Sequence, residues 1–232
     1  MKPSPTPPPA EGAAIESSDP KDLAAPGELA ARLDALVEGL PGPPSPQQRE
    51  ALVALTEFLH QWSAGMNLTG HKTRRAILEG LIAEAIGLES VLPQLQGIVD
   101  LGSGAGFPGL PLAILRPGCE FTLLESRERR HHFQRAAVRH LGVSNVECVR
   151  GRAEVPSGLP HPAAIAQAMG PPGRVLGWML DWVEVGGLLF VPLSASASPP
   201  PRRPGVQQLM ISSYRVPGGT RTRALWCGRR VA

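Results

Sequence analysis

The chain has 232 residues, 42% of them hydrophobic, and 23 basic against 20 acidic residues give a net charge of +3. That length suits one ordinary domain with appendages, and the apolar share is enough for a real core. No run approaches the ~18 apolar residues that span a bilayer, the N-terminus has no apolar signal segment, and Cys119, Cys148 and Cys227 are too scattered for a disulfide framework or a zinc site. The expectation is a cytoplasmic protein without membrane association or bound metal.

The small net charge hides an asymmetry. No acidic residue follows Glu184, whereas Arg202, Arg203, Arg215, Arg221, Arg223, Arg229 and Arg230 do; a second basic cluster lies within 127–139. A basic half favours a polyanionic partner such as RNA. The plainer source is coding in a GC-rich genome, since Arg outnumbers Lys twenty to three.

Residues 1–25 are Pro-rich and short of aromatics, so they read as a disordered tail. A helix is predicted over 27–40, with Leu29, Leu33, Leu36 and Leu40 on one face. Ser45, Pro46 and Gln48 form a capping box with proline at the first helical position, and Leu52, Leu55, Leu59 and Trp62 continue that helix until residues 67–70 break it. A third helix starts near Arg74 and carries Ile77, Leu78, Leu81, Ile82 and Ala85. Residues 26–96 thus read as a small helical region and 97–232 as the main domain.

From residue 97 short apolar strands alternate with helices. Strands are predicted at 97–101, 120–124, 143–150, 163–167 and 187–191, and helices at 109–115, 127–141 and 175–183. Gly142 is placed to cap the second of these helices. Residues 207–216 and 221–227 read as a closing hairpin through Pro217-Gly218-Gly219. This order gives an α/β fold with a mostly parallel sheet covered on both faces and a C-terminal β-hairpin.

The chemistry concentrates after the first strand, in Asp100-Leu101-Gly102-Ser103-Gly104-Ala105-Gly106-Phe107-Pro108-Gly109. Glycines permit a tight turn and let backbone N–H groups approach a ligand at a helix start. Gly104, Gly106 and Gly109 also fit a dinucleotide fingerprint. Two features favour S-adenosylmethionine (AdoMet). Asp100 would repel a pyrophosphate but can accept from a methionine amino group, and Glu125, at the end of the second strand, can accept ribose hydroxyls. Ser103 lies in no G-x-S-x-G elbow, so a hydrolase is disfavoured. His131-His132 reads as a solvated basic face rather than a metal pair.

Residues 100–111 resemble the signature loop of the RsmG (GidB) family, which methylates a guanine N7 in bacterial 16S ribosomal RNA. Asn67-Leu68-Thr69, Gly151-Arg152-Ala153-Glu154 and Val185-Gly186-Gly187 match further family elements, over roughly residues 50–195. The resemblance implies a Rossmann-like class I AdoMet-dependent methyltransferase acting on 16S rRNA or the small ribosomal subunit, and a monomer is expected. It assigns Gly102 and Phe107 to the cofactor and the Ala153-Glu154 backbone to its adenine, beside Asp100, Gly104, Gly106, Glu125 and Gln167. Asn67, Arg152, Arg202 and Arg203 are the expected substrate contacts.

This chain also departs from the family. The H-x-x-D-S element reads Leu81-Ile82-Ala83-Glu84-Ala85, S-R-A reads Ala166-Gln167-Ala168, the K-G pair reads Pro192-Leu193, and Pro-rich residues 194–206 stand where a helix is usual. Guanine N7 carries an in-plane lone pair, so no catalytic side chain is expected; alignment and water exclusion suffice. The lost Arg at Gln167 calls for replacement charge, expected from Arg152 or Arg174. The alternative is an RsmG-like protein that binds AdoMet or RNA as a regulatory partner.

Overall fold

The structure, a computed structural model, describes residues 22, 23, 25 and 27–232. The disordered tail expected over 1–25 lies outside these residues, apart from Asp22, Leu23 and Ala25.

Helix α1 (Glu28–Val37) buries Leu29, Leu33 and Leu36. Helix α2 (Pro46–Gly65) starts on a complete capping box: Ser45 Oγ accepts from the Gln48 N–H at 3.2 Å, and Gln48 Oε1 accepts from the Ser45 N–H at 2.8 Å. Gln48 also donates to the carbonyls of Ile114 and Leu115, tying α2 to the domain that follows. The third helix is not uniform. It runs as α3 (Arg74–Ile77), a π-helical turn (Leu78–Ile82) and α4 (Ala83–Glu89). Gly87 lets α4 lie close on the terminal hairpin, since a Cβ there would meet the Arg215 carbonyl at 2.6 Å.

Among the described residues the sheet has seven strands in the order β3-β2-β1-β4-β5-β7-β6. These are β1 (Gly97–Leu101), β2 (Glu120–Glu125), β3 (Val146–Arg150), β4 (His161–Ile165), β5 (Val183–Ser194), β6 (Val206–Arg215) and β7 (Thr222–Arg230). The first five are parallel, and β7 runs antiparallel between β5 and β6. Helices α5 (Gly109–Leu115), α6 (Glu128–Leu141) and α7 (Pro172–Trp182) make the crossovers. Gly142 caps α6 at φ 63°, the left-handed conformation that glycine takes without strain.

Strand bounds differ from expectation in several strands. Strand β3 starts at Val146 because Asn145 is a buried peg, donating to the carbonyls of Ala113, Arg116 and Cys119. Strand β4 ends at Ile165. Strand β5 begins already at Val183, which pairs with His161 ahead of a register shift that absorbs residues 184–187.

Strand alternation sends neighbours into two cores. Ile98, Phe121, Leu123, Phe190, Leu225 and Cys227 join α1 to α6 on one face. Val99, Leu101, Leu189, Val191, Ala224 and Trp226 meet α7 on the other. The N-terminal helices therefore share a core with the sheet. A Pro-rich stretch, 195–205, connects β5 to β6 without a helix and lies along α7, where Arg203 approaches Gly173 and Gly177.

Candidate active site

All five residues of β1 are buried, and the chain leaves it through a turn in which Gly102, Gly104 and Gly106 take φ of 67°, 59° and 83°. Side-chain-free backbone is needed at two of them for space as well. A Cβ at Gly102 would press into the Met169 side chain, and one at Gly106 into Leu110. The turn is bound internally: the N–H groups of Gly106 and Phe107 both donate to the Ser103 carbonyl, at 2.7 and 2.9 Å.

Two carboxylates and one amide hold this turn. Asp100 Oδ2 accepts from the Gly109 N–H at 2.9 Å, which fixes the start of α5. Asp100 Oδ1 is buried without a hydrogen-bond partner among the described residues. Burial, with the Glu125 charge adding, pushes the Asp100 carboxyl up to about 8, against the Gly109 hydrogen bond that lowers it. Glu125 Oε2 accepts from the Gly104 N–H at 3.0 Å, and Oε1 from the Arg127 N–H at 2.7 Å. Gln134, fully buried on α6, donates to Ser103 Oγ and to the Gly104 carbonyl, both at 2.8 Å.

These residues leave room for a ligand at the backbone of the turn. The Cβ side of Gly104 is open, its nearest neighbour being Arg130 Nη1 at 3.7 Å, so a ligand can approach the backbone there. An acidic group stands at the end of β2, and Asp100 keeps one carboxyl oxygen without a partner among the described residues. Asp100 itself is 1% exposed, so it shapes the loop from beneath.

A second cluster stands at the same, C-terminal edge of the sheet. Glu84 Oε1 accepts from Gln167 Nε2 at 2.7 Å and from Arg223 Nη2 at 2.6 Å, while Arg221 Nη2 lies 4.0 Å from Oε2. Arg221 also donates to the Glu79 and Gly80 carbonyls of the π turn. His71, hydrogen-bonded to Thr69 Oγ1, packs against Gly80; burial and the neighbouring Arg221 charge lower its pKa. Tyr214 lies near this group, and burial, with Glu84 adding, pushes its phenol up to about 12. The arginine reaching Gln167's partner is thus Arg223, and not Arg152 or Arg174, which are exposed. Ala168, at φ 52°, bends the loop between Gln167 and Met169.

The remaining expected site residues scatter. Asn67 is exposed, its Oδ1 accepting from Lys72 Nζ at 3.2 Å. Arg152 and Glu154 are exposed, and the Ala153 carbonyl accepts from Trp182 Nε1 at 2.8 Å. Arg202 and Arg203 line a separate groove with Pro200, Gln208 and Trp226. Glu84, Gln134 and Met169 were missed as site residues, and Arg223 was noted only within the C-terminal basic cluster. Arg223 had a usable signal, since period-two alternation puts it on the face of Leu225 and Cys227, toward the N-terminal helices, and Glu84 stands at the acidic position of the H-x-x-D-S element.

The architecture is that of the Rossmann-like class I methyltransferases. M. jannaschii TYW2 in complex with AdoMet aligns over 66% of this chain and 77% of its own, at TM-score 0.50 and 14% identity. MtNAS in complex with MTA and tNA aligns over 80% and 70%, at TM-score 0.50 and 19% identity. Residues 48–196 match the family described as rRNA small subunit methyltransferase G (GidB), and the chain belongs to that family. The ribosomal RNA small subunit methyltransferase G of Nitrosococcus oceani is 40% identical over 108 residues, 47% of this chain and 50% of the relative. That of Yersinia pseudotuberculosis is 37% identical over 135 residues, 57% and 64%. The chain thus spans half to two thirds of the length of these relatives.

Proposed function

We propose that this protein transfers a methyl group from AdoMet to N7 of a guanine in 16S ribosomal RNA. The observation that carries the reading is the glycine turn held between Asp100 and Glu125 within the family-matched span. When bound, AdoMet supplies a methyl group on a sulfonium, which a ring nitrogen with an in-plane lone pair takes up without losing a proton.

The protein's part is then to bind, align and keep water out. Gly102, Gly104, Gly106 and Phe107 would form the floor, and Glu125 would turn an oxygen from the Gly104 N–H to the ribose. Ala153 and Glu154 would flank the adenine, with Gln167 at the cofactor's outer side. Asn67, Arg152, Arg202 and Arg203 would meet the RNA. No general base is required. Among the described residues no helix is long and apolar enough to cross a membrane.

One observation favours a second reading, binding without catalysis: both Glu125 oxygens are already engaged by backbone N–H groups. Two measurements separate the readings. Mapping of N7-methylguanine in 16S rRNA from a strain lacking the gene should show one site lost, and restored by the wild-type chain. Calorimetry should show AdoMet binding that Gly104→Val abolishes, since a branched residue at φ 59° is strained and fills the open space above the turn. Unchanged methylation in the deletion strain, with AdoMet still bound, would move the assignment to the regulatory reading.

A further inference from the structure

We propose that Glu84 is a positioning residue that holds Arg223, with Arg221 beside it, against a phosphodiester of the RNA strand at the C-terminal edge of the sheet. This rests on the RNA-methylating reading above and adds the residues through which the strand is gripped. Three elements far apart in sequence meet at one carboxylate: α4 supplies Glu84, the loop after β4 supplies Gln167, and the terminal hairpin supplies Arg221 and Arg223. The convergence follows from Gly87, one turn beyond Glu84, whose missing Cβ allows α4 to close on the hairpin.

Charge decides what the cluster can bind. Two guanidinium groups, cationic at any working pH, face a single carboxylate and a neutral amide, so one positive charge is left over. Both cations keep surface for a ligand: the Arg221 side chain is 49% exposed and that of Arg223 24%. Planar forks of this kind match phosphate oxygens. Strand β7, which carries Arg223, is three strands from β1, roughly 14 Å at ~4.8 Å per strand. The excess charge therefore lies along the same sheet edge as the glycine turn, three strands away. Arg221 and Arg223 fall outside the family-matched residues 48–196, whereas Glu84 and Gln167 fall inside them.

The test compares the wild-type chain with Arg221→Gln, Arg223→Gln, Glu84→Gln and Glu84→Asp. Unmethylated small ribosomal subunits serve as substrate for kinetics, and an unmethylated 16S rRNA fragment serves for binding at several salt concentrations. Each arginine variant should raise KM for the subunit at least tenfold with kcat within threefold, and lower the log–log salt slope by ~0.7. Glu84→Gln leaves both cations present, so it should raise KM about fivefold with the salt slope unchanged, and Glu84→Asp should recover at least half of that loss. AdoMet affinity by calorimetry should be the same in all five proteins. An equal-fold fall in AdoMet affinity would assign the arginines to the cofactor, and unchanged KM and salt slope would leave the cluster purely structural; either overturns the proposal. If Arg223→Gln does not fold, the half-exposed Arg221 variant carries the test. If no protein methylates RNA, the salt slopes still decide this proposal, while the missing product counts against the enzymatic reading.

Discussion

Gln134 on α6 donates its side-chain amide to the carbonyl of Gly104, thirty residues earlier, at 2.8 Å. Glu125 takes the N–H of the same glycine at 3.0 Å, so both backbone polar groups of Gly104 are fixed by side chains. A turn held at both ends meets a ligand without further ordering, which lowers the entropic cost of binding.

Gln134→Leu separates this positioning role from a stabilising one. The substitution leaves the Gly104 carbonyl unbonded but also removes Gln134 Oε1, which is buried without a partner among the described residues. These effects oppose each other, so stability in urea should change by no more than about 1 kcal/mol. AdoMet affinity should nevertheless fall about five- to tenfold. Equal affinity in calorimetry would show that the turn keeps its shape without the amide.

Asp100 gives the fold a particular pH dependence. Its carboxyl holds a proton up to about 8 when folded, because of burial first and the Glu125 charge second. In the unfolded chain it loses that proton near 4. Between those values the folded state carries the extra proton, so this group's contribution to stability falls as pH rises and is constant above about 8. The slope is at most ~1.4 kcal/mol per pH unit for one group. Asp100→Asn cannot titrate, so urea midpoints from pH 4 to 9 should fall less steeply than in the wild type. Parallel curves would place the ionised form in the folded protein.

The helix α2 start permits a paired comparison. Ser45→Ala removes one half of the capping box and should cost ~1 kcal/mol. Gln48→Ala removes the other half and the links to the Ile114 and Leu115 carbonyls, so it should cost more, about 2 kcal/mol. Chemical denaturation that ranks the two in the opposite order would mean that the link between α2 and α5 carries no weight.

Gln167→Arg would bring a third guanidinium to Glu84, where Arg223 already supplies the charge. Methyl transfer should therefore change within about tenfold, ~1.4 kcal/mol, in either direction. A gain of a hundredfold or more would show that Arg223 does not replace the missing group.

What could be read from sequence was what local rules determine. The glycine turn, the Ser45 box, the Gly142 cap and the limits of β1 and α5 are each fixed by residues within a few positions, and all stand where expected. The cluster at Glu84 was not legible, because it depends on β7 lying beside β5 in a register that opposes Ser194 and Arg223. The π turn was also hidden: Ile77, Leu78 and Ile82 satisfy an ordinary helical stripe equally well. Arg202 and Arg203 stood out by charge alone, and charge carries no information about which side of α7 the chain will follow.

The strand at the end of the chain is an interior one. Among the described residues β6 has β7 as its sole neighbour in the sheet, and β5 meets β6 only through it. Residues 222–230 therefore act as a keystone: a chain stopped before them would keep the glycine turn and its Glu125 clasp, yet leave β5 with a bare edge and β6 with nothing to pair against. During synthesis the glycine turn and Glu125 are written about a hundred residues ahead of Arg221 and Arg223. A polypeptide released early would hold the first and lack the second.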